Sequence, residues 1–392
     1  MKPPLQGVTV VSIEQAVAGP FATRHLADLG ARVIKIERPD GGDFARAYDT
    51  TVKGMASHFV WLNRSKESLT LDLKRPEAAR VLERLLDGAD VFLQNLAPGA
   101  AERLGLGNEA LRRCYPRLIV CNLSGYGTSG PYAEKKAYDL LIQSEVGMLS
   151  VTGTDATPCK VGVSIADISA GMYAYSGILT ALLARKDTGE GTVLDVALLD
   201  TLGEWMGYAA YYTEYGGTQP PRTGASHATI APYGPYRTSD GSIVVAVHNK
   251  GEWAQFCAQV LGQPALADDP RFQTNVSRVQ HRDALIAAIE SVLTRLPSAE
   301  VLRRLEAANI ANARVNTMRE YLQHPQLAAR DCWREVDSPS GPIRALVPPV
   351  RMQDVTPTMG AVPALGQHSQ AILEELAFDQ TTIAQWVATG VV

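Results

Sequence analysis

Short apolar runs rich in β-branched residues alternate with helical segments through the first 125 residues. Five of these runs have strand character: 8–13, 32–37, 69–73, 90–94 and 118–123. Residues 19–30 and 76–86 have helical character. Strands and helices that alternate at this spacing predict a doubly wound α/β domain around a parallel sheet.

The length of 392 residues exceeds what one hydrophobic core usually supports, so we expect two domains. Residues 199–215 are helical in pattern, and G-G-T-Q-P-P at 216–221 breaks that pattern as a linker does. The following stretch combines a strand, 242–248, with amphipathic helices at 252–261, 282–294 and 299–308. An extended stretch at 337–366 and a final helix at 369–377 complete the predicted elements.

These patterns predict a division into a large α/β domain and a small α+β domain. The predicted segments are the N-terminal part of the large domain at 1–205, a linker at 206–225, the small domain at 226–325, a return linker at 326–350 and the C-terminal part of the large domain at 351–392.

Composition argues against several classes of function. The net charge of −4 and a pI near 6.0 disfavour nucleic acid as a partner. The five cysteines form no Cys-x-x-Cys pair and the seven histidines lack ligand spacing, so we expect neither a disulfide framework nor a metal site. The N-terminus has no signal-like apolar run, and 168–184 is too short and too polar to span a membrane. We therefore expect a cytoplasmic protein without a membrane partner.

Residues 125–130, G-Y-G-T-S-G, match the dinucleotide-binding fingerprint by letter. Pro131 follows at a point where the helix of that fingerprint should already be running. We therefore interpret this segment as a tight turn.

Asp167 follows a short apolar run and precedes a stretch without charge. From Ile168 to Ala184 no side chain is charged, which predicts a helix packed among other elements on all sides. Asp167 then lies at the helix N-terminus, where negative charge is favoured. Two interpretations stay open. The carboxylate caps the helix, or it is a nucleophile held ionised in a largely dehydrated place, since carboxylates can carry acyl groups as mixed anhydrides.

Seven motifs occur in a fixed order along nearly the whole chain. They are E-Q-A-V-A-G-P at 14–20, L-G-A-R-V-I-K-I-E-R-P-D-G-G-D at 29–43, N-R-S-K-E-S-L-T-L-D-L-K at 63–74, Q-N-L-A-P-G at 94–99, G-Y-G-T-S-G-P at 125–131, I-A-D-I-S-A-G at 165–171 and P-Y-G-P-Y-R-T-S-D-G at 232–241. In this order they resemble the class III CoA-transferases. That family includes the formyl-CoA:oxalate and carnitine CoA-transferases, and the α-methylacyl-CoA racemases share its fold.

The resemblance implies a fold and an assembly. Members of the family have a Rossmann-like large domain and a small domain joined by two linkers, and two chains are threaded through each other as interlocked rings. The resemblance therefore implies an intertwined homodimer here. The linkers predicted at 206–225 and 326–350 fall where such threading needs them.

The resemblance also implies a reaction at Asp167, which matches the family's catalytic aspartate. By resemblance its carboxylate attacks the acyl-CoA thioester, becomes an aspartyl anhydride and passes through an aspartyl-CoA thioester. Coenzyme A thioesters and carboxylic acids are then the substrates, and no permanently bound cofactor is expected. The residues matched to CoA contacts are Val17, Ala18, Arg38, Leu71, Lys74, Asn95, Leu96, Arg103, Leu104, Lys136 and Tyr138.

Two alternatives compete with a transferase. The racemases carry Gly-His-Asp near residues 137–139, where the histidine transfers a proton. This chain has Ala137-Tyr138-Asp139, which disfavours an α-methylacyl-CoA racemase. The second alternative is a non-catalytic acyl-CoA-binding relative, and Asp167 in its apolar setting disfavours it. The glycine-rich loop that covers the aspartate of formyl-CoA transferases is replaced here by H-N-K-G at 248–251.

The expected substrates come from the subgroup that the chain resembles most. This subgroup passes CoA from succinyl-CoA to itaconate, mesaconate, citramalate or malate. These diacids keep a distal carboxylate, which needs a cation or a cluster of donors. The residues available for that role are Arg46, Lys53, Arg222 and His227.

Overall fold

The computed structural model describes residues 2–392. Its strands are β1 (Thr9–Ile13), β2 (Arg32–Glu37), β3 (Lys66–Thr70), β4 (Val91–Gln94), β5 (Ile119–Ser124), β6 (Val193–Ala197), β7 (Tyr233–Arg237), β8 (Ser242–Ala246), β9 (Ala311–Arg314), β10 (Trp333–Val336) and β11 (Ile343–Leu346). Its α-helices are α1 (Ala18–Asp28), α2 (Ser57–Leu62), α3 (Pro76–Asp87), α4 (Ala100–Arg103), α5 (Asn108–Cys114), α6 (Asp139–Glu145), α7 (Met148–Val151), α8 (Ile165–Thr188), α9 (Leu198–Trp205), α10 (Gly207–Gly216), α11 (Lys250–Gln255), α12 (Asn275–Gln280), α13 (Arg282–Leu293), α14 (Ser298–Ala307), α15 (Met318–Leu322), α16 (Pro325–Ala329), α17 (Ser369–Glu375) and α18 (Gln380–Ala388).

The described chain divides into two compact units. The first contains the residues up to Val146 together with Val161–Gly207 and Ala328–Val392. The second contains Gly147–Lys160 and Tyr208–Leu327.

The first unit is built on a six-stranded parallel sheet with the order β3-β2-β1-β4-β5-β6. The strand order reverses between β1 and β4, which is the switch point of a doubly wound sheet. The predicted α/β class is therefore confirmed. One strand lies earlier than predicted: β3 occupies Lys66–Thr70 rather than 69–73, because Leu71 is buried beyond the end of the ladder and extends the apolar alternation.

The core of the first unit contains side chains from both the N-terminal and the C-terminal parts of the chain. In α3, Pro76 stands at the first helical turn, and Val81, Leu82 and Leu85 are buried on one face. Trp386 from α18 belongs to the same hydrophobic cluster. The prediction of a single final helix at 369–377 was wrong, since α17 is followed by α18.

The helix that carries Asp167 is α8, and it ends at Gly189 in a left-handed conformation with φ 74°. The prediction that this helix is packed on all sides was wrong for the chain alone. Met172, Tyr173 and Leu183 lie on an exposed face, and Leu183 is 64% exposed. An apolar composition shows that a face is suited to burial, and does not show that the same chain supplies the cover.

The second unit contains the antiparallel sheet β7-β8-β9. Its core includes the fully buried side chains of Trp253, Phe256 and Ile289. The helix predicted at 252–261 is divided, because α11 ends at Gln255 and a π-helical turn follows at Phe256–Val260. The helix predicted at 199–215 is also divided, into α9 and α10, so α10 occupies part of the predicted linker.

Candidate active site

A cavity of about 510 Å³ lies at the carboxyl ends of β1, β2, β3 and β4. In parallel α/β sheets this edge, next to the switch point, is where ligands bind. Six of the predicted CoA contacts line the cavity: Arg38, Leu71, Lys74, Leu96, Arg103 and Leu104. The structure therefore brings residues from four separate segments of the chain into one cavity.

The inner wall of the cavity holds buried carboxylates, and each is paired with a buried cation. The Lys66 ammonium lies 2.7 Å from Glu14, and the Lys35 ammonium lies 2.7 Å from Asp43. All of these side chains are fully buried. Since a buried charge is tolerated only when it is paired, the wall contributes no net charge from these four groups.

Arg46, one of the diacid candidates, is paired with Glu37, whose side chain lines the cavity. Its guanidinium donates to both carboxylate oxygens of Glu37, at 2.8 and 2.7 Å, and stacks 3.6 Å from the ring centre of Phe59. Burial alone would raise the pKa of Glu37, but the hydrogen bonds from Arg46 and the charge of Lys35 lower it to about 2. The positive charge of Arg46 is therefore balanced by the carboxylate of Glu37.

Three cations at the cavity are exposed to solvent: Arg38, Lys74 and Arg103. Arg38 has one loose ion pair, with Asp40 at 3.8 Å, and donates to the carbonyl of Gly42 at 3.5 Å; its side chain is 56% exposed. Within residues 2–392, Lys74 and Arg103 form no ion pair. Uncompensated cations of this kind suit phosphate groups.

The loop after β1 is held by hydrogen bonds to the side chains of Asn95, which follows β4, and Asp43, in the loop after β2. Gln15 donates its N–H to the Asn95 side chain and accepts a hydrogen bond from the same amide, both at 2.9 Å. Ala16 is held at φ 62° and donates its N–H to Asp43 at 3.0 Å. Asn95 was predicted as a CoA contact, and the structure uses its side chain to hold the loop that leads into α1.

The remaining predicted contacts lie outside the lining of the cavity. Val17 and Ala18 are buried at the start of α1. Lys136 and Tyr138 are exposed just before α6, and Tyr138 is 67% exposed.

Asp167 occupies the first turn of α8 and is partly buried. Within residues 2–392 its carboxylate has no hydrogen-bond partner, although its backbone N–H has one. Burial raises the pKa of Asp167 to about 7, and the neighbouring carboxylate of Asp139 adds to that rise. A carboxylate that is desolvated and unbonded is a more basic and more nucleophilic group than an exposed one.

The cap of α8 comes from another helix. Asp139, at the first position of α6, accepts the N–H of Ala166 at 2.7 Å and that of Asp167 at 3.4 Å. Ser164, at the capping position, forms no side-chain cap. Of the two interpretations of Asp167, the structure excludes the helix cap.

Asp139 and Tyr48 are not among the site residues predicted as catalytic, and the structure places both near Asp167. Burial raises the pKa of Tyr48 to about 12, and the carboxylates of Asp43 and Asp167 add to that rise. Asp139 lies 28 positions before Asp167. In the sequence, Ala137-Tyr138-Asp139 was compared with the Gly-His-Asp of racemases for its middle residue, and nothing in the pattern showed that Asp139 lies beside Asp167.

The other diacid candidates are bonded to backbone carbonyls or stacked on a ring. Lys53 donates to the carbonyl of Pro342 at 2.7 Å. Arg222 donates to the carbonyls of Thr154 and Asp155, at 2.8 and 2.7 Å, so no carboxylate neutralises it there. The imidazole of His227 stacks on Tyr233 with ring centres 5.2 Å apart.

No metal centre is found in the part of the chain that the structure describes, since no three His, Cys, Asp or Glu side chains are grouped to hold an ion. The five cysteines are free thiols. Among the described helices, none is both long and apolar enough to cross a membrane.

The comparison with protein families decides the class of this protein. The model described as CoA-transferase family III matches residues 5–369. The chain belongs to this family. The protein is therefore a CoA-transferase, an enzyme whose substrates are CoA thioesters.

Individual relatives match this CoA-transferase over most of its length. It is 33% identical over 398 residues to the succinyl-CoA:glutarate CoA-transferase of Mus musculus, with coverage of 99% of this chain and 90% of that protein. It is 36% identical over 332 residues to the acetyl-CoA:oxalate CoA-transferase of Acetobacter aceti, with coverage of 84% and 85%. A solved CaiB/BaiF family protein from Brucella suis is 35% identical, has a TM-score of 0.85, and covers 96% of this chain and 100% of that one.

Proposed function

We propose that this CoA-transferase moves CoA from succinyl-CoA to a C4 or C5 dicarboxylate, such as glutarate or itaconate, through covalent intermediates on Asp167. The observation that carries the proposal is the state of Asp167. Its side chain is partly buried, its carboxylate has no hydrogen-bond partner within residues 2–392, and burial raises its pKa to about 7. A nucleophile needs a lone pair that no donor occupies.

The proposed reaction conserves the thioester. The Asp167 carboxylate attacks the thioester carbonyl, the C–S bond breaks, and the CoA thiolate leaves an aspartyl acyl anhydride. The thiolate then attacks the aspartyl carbonyl, which releases the donor acid and forms an aspartyl-CoA thioester. The acceptor carboxylate attacks this thioester to give a second anhydride, and the thiolate attacks its acyl carbonyl to release the product and regenerate Asp167. Water must be kept from both anhydrides, which suits a carboxylate in a desolvated place.

The cavity at the sheet edge is the proposed CoA site. The exposed cations Arg38, Lys74 and Arg103 would bind the phosphates, and Leu71, Leu96 and Leu104 would contact the apolar parts of the molecule. Val17, Ala18, Asn95, Lys136 and Tyr138 remain proposed contacts through the family resemblance.

The acceptor class rests on two arguments. The relatives from Mus musculus and Acetobacter aceti are named for the dicarboxylates glutarate and oxalate. A distal carboxylate also needs a cation, and Arg222 has a guanidinium bonded to carbonyl oxygens, which leaves its charge available. Lys53 and His227 stay as further candidates.

The assembly is part of the proposal. We propose that two chains form an interlocked homodimer, with the segments 1–205 and 351–392 as the large domain, 226–325 as the small domain, and linkers at 206–225 and 326–350. The exposed apolar face of α8 supports it, because Met172, Tyr173 and Leu183 need a cover.

The test is an acceptor panel with purified enzyme. Succinyl-CoA and acetyl-CoA are each offered with glutarate, itaconate, oxalate and a monoacid of matched length, and the new thioester is separated by chromatography. We expect the highest kcat/KM for succinyl-CoA with a C4 or C5 diacid. Asp167→Asn should lose transfer by at least about a thousandfold while it still binds CoA. A monoacid preferred over every diacid would contradict the acceptor class, and an active Asp167→Asn would contradict the mechanism.

A further inference from the structure

We propose that Asp139 is a positioning residue that holds the first turn of α8 and orients the Asp167 carboxylate for attack on the thioester. This inference rests on the proposed function, in which Asp167 is the nucleophile. Asp139 itself does not react. It acts on the geometry and the charge of the residue that does.

The first part of the argument is a chain of hydrogen bonds that ends at the nucleophile. One oxygen of Asp139 accepts the N–H groups of Ala166 and Asp167, at 2.7 and 3.4 Å. Its other oxygen accepts from the Gln143 amide at 2.6 Å, and Gln143 in turn accepts the N–H of Val161 at 3.0 Å. Gln143 is fully buried. Gln143 and Asp139 of α6 therefore hold the two ends of the segment 161–166, which leads to Asp167.

The second part concerns the helix N-terminus. Orphan N–H groups at the start of a helix attract the nearest carboxylate, and a carboxylate within the first turn often folds back onto them. Here Asp139 occupies those donors. The side chain of Asp167 is thereby left without a bond to its own helix, which is the state that the proposed attack requires.

The third part is electrostatic. The titratable groups that act on Asp167 are Asp139 on α6 and Tyr48 after the 3₁₀ turn Phe44–Ala47. Of the two, Asp139 carries a carboxyl group and Tyr48 a phenol whose pKa is raised to about 12. Burial is the main cause of the raised pKa of Asp167, and the charge of Asp139 raises it further. Acylation makes Asp167 neutral, so the repulsion is relieved as the anhydride forms.

The test moves the negative charge from position 139 to position 143 and keeps the hydrogen bonds of both side chains. In the double variant Asp139→Asn/Gln143→Glu, the Asn oxygen still accepts the N–H of Ala166. The Asn amide donates to the carboxylate introduced at position 143, which reverses the native direction, and that carboxylate still accepts the N–H of Val161. Asp139→Asn alone is the second variant, which removes the charge and places two NH₂ groups face to face. Thermal melting checks that each variant folds.

The readout is the pH dependence of kcat/KM, whose acid limb follows ionisation of Asp167. We expect the limb to move to lower pH in both variants, by roughly half a pH unit or more, and kcat at pH 8 to fall because a less basic carboxylate is a weaker nucleophile. A merely structural role would lower activity without moving the limb. A wild-type limb in both variants would overturn the proposal.

Hydroxylamine trapping on the wild-type enzyme separates this inference from the proposed function. If succinyl-CoA and hydroxylamine leave no hydroxamate on Asp167, the nucleophile is elsewhere, and both the proposed function and the role of Asp139 fall. If the hydroxamate forms and neither variant moves the acid limb, the proposed function stands and only the role of Asp139 falls.

Discussion

Lys66 shows how a single charged residue shapes the cavity without facing solvent. Its ammonium donates to Glu14 at 2.7 Å, to the carbonyl of Pro20 at 3.0 Å and to Asn63 at 3.0 Å. Burial lowers the pKa of Lys66 to about 8, although Glu14 opposes that shift. Lys66 is thus a structural cation that neutralises one carboxylate of the cavity wall.

Replacing Lys66 and Lys74 should therefore give opposite effects. Lys66→Met leaves Glu14 buried without its nearest cation, so we expect the free energy of unfolding to fall by about 3–5 kcal/mol. Lys74→Met removes an exposed charge, so we expect stability to change by less than about 0.5 kcal/mol. The same variant should weaken CoA binding by roughly fivefold, as expected for one exposed ion pair. Denaturant unfolding and CoA titration measure both quantities, and equal losses of stability would contradict this assignment.

Residue patterns predict some of these roles and miss others. Asp167 stands out because an uncharged stretch follows it, and the segments around Arg38, Leu71 and Leu96 are recognisable from motifs. The partners of a charge are not visible in the same way. Arg46 looks as free as Arg38 in the sequence, yet it is bound to Glu37 from the end of β2. Pairings across the sheet depend on the strand order, which periodicity does not encode.

At the scale of elements, the crossing of α1 and α8 positions the site. A Cβ built on Gly171 would lie 2.8 Å from the carbonyl oxygen of Ala18 and 3.1 Å from Phe21. Only glycine allows this approach. The start of α1, with the proposed CoA contact Ala18, therefore lies one helical turn from Asp167 along α8.

Gly171→Ala tests this crossing, and Gly203→Ala in the neighbouring helix α9 is the control. A Cβ at Gly203 would meet no atom within 4 Å. We expect Gly171→Ala to lower the free energy of unfolding by about 1–3 kcal/mol and to raise the KM for acyl-CoA. Gly203→Ala should be neutral or stabilise by up to about 1 kcal/mol, because alanine favours the helix. Indistinguishable melting temperatures and kinetics of the two variants would show that the crossing is not tight.

The predicted elements differ in how well the sequence defined them. The strands β1, β2, β4 and β5 were recognisable because each is a short apolar run bounded by turns. The end of the chain was harder. The helix α18 begins at a cap from Asp379, which accepts the N–H of Thr382, and it buries Ile383 and Trp386 in the core. Two buried residues in a short helix give little periodicity, so the element was missed.

At the scale of the whole molecule, several exposed faces are too apolar for a free chain. An open groove of about 590 Å³ runs along the exposed face of α8, lined by Tyr173, Ala181 and Leu194 among others. On α10, Tyr211 and Tyr215 are 70% and 82% exposed. Apolar surfaces of this kind commonly mark contacts between chains. They support the proposed homodimer.

The interlocked form of that dimer makes a specific prediction. Chains threaded through each other cannot separate without unfolding, so dilution should not yield a folded monomer. Analytical ultracentrifugation over a hundredfold dilution should show dimer only, and the dimer should be lost only as helical circular dichroism is lost. A folded, concentration-dependent monomer would contradict the threading, although an ordinary dimer would still fit the exposed faces.

The central claim is that Asp167 carries the acyl group and then CoA. The most direct measurement is peptide mass spectrometry after succinyl-CoA and hydroxylamine are added to the enzyme, with Asp167→Asn as the matched control. The account predicts a hydroxamate on Asp167 of the wild-type chain and none on the variant. Turnover without any adduct on Asp167, together with exchange of a deuterium at the α-carbon of an acyl-CoA, would contradict it.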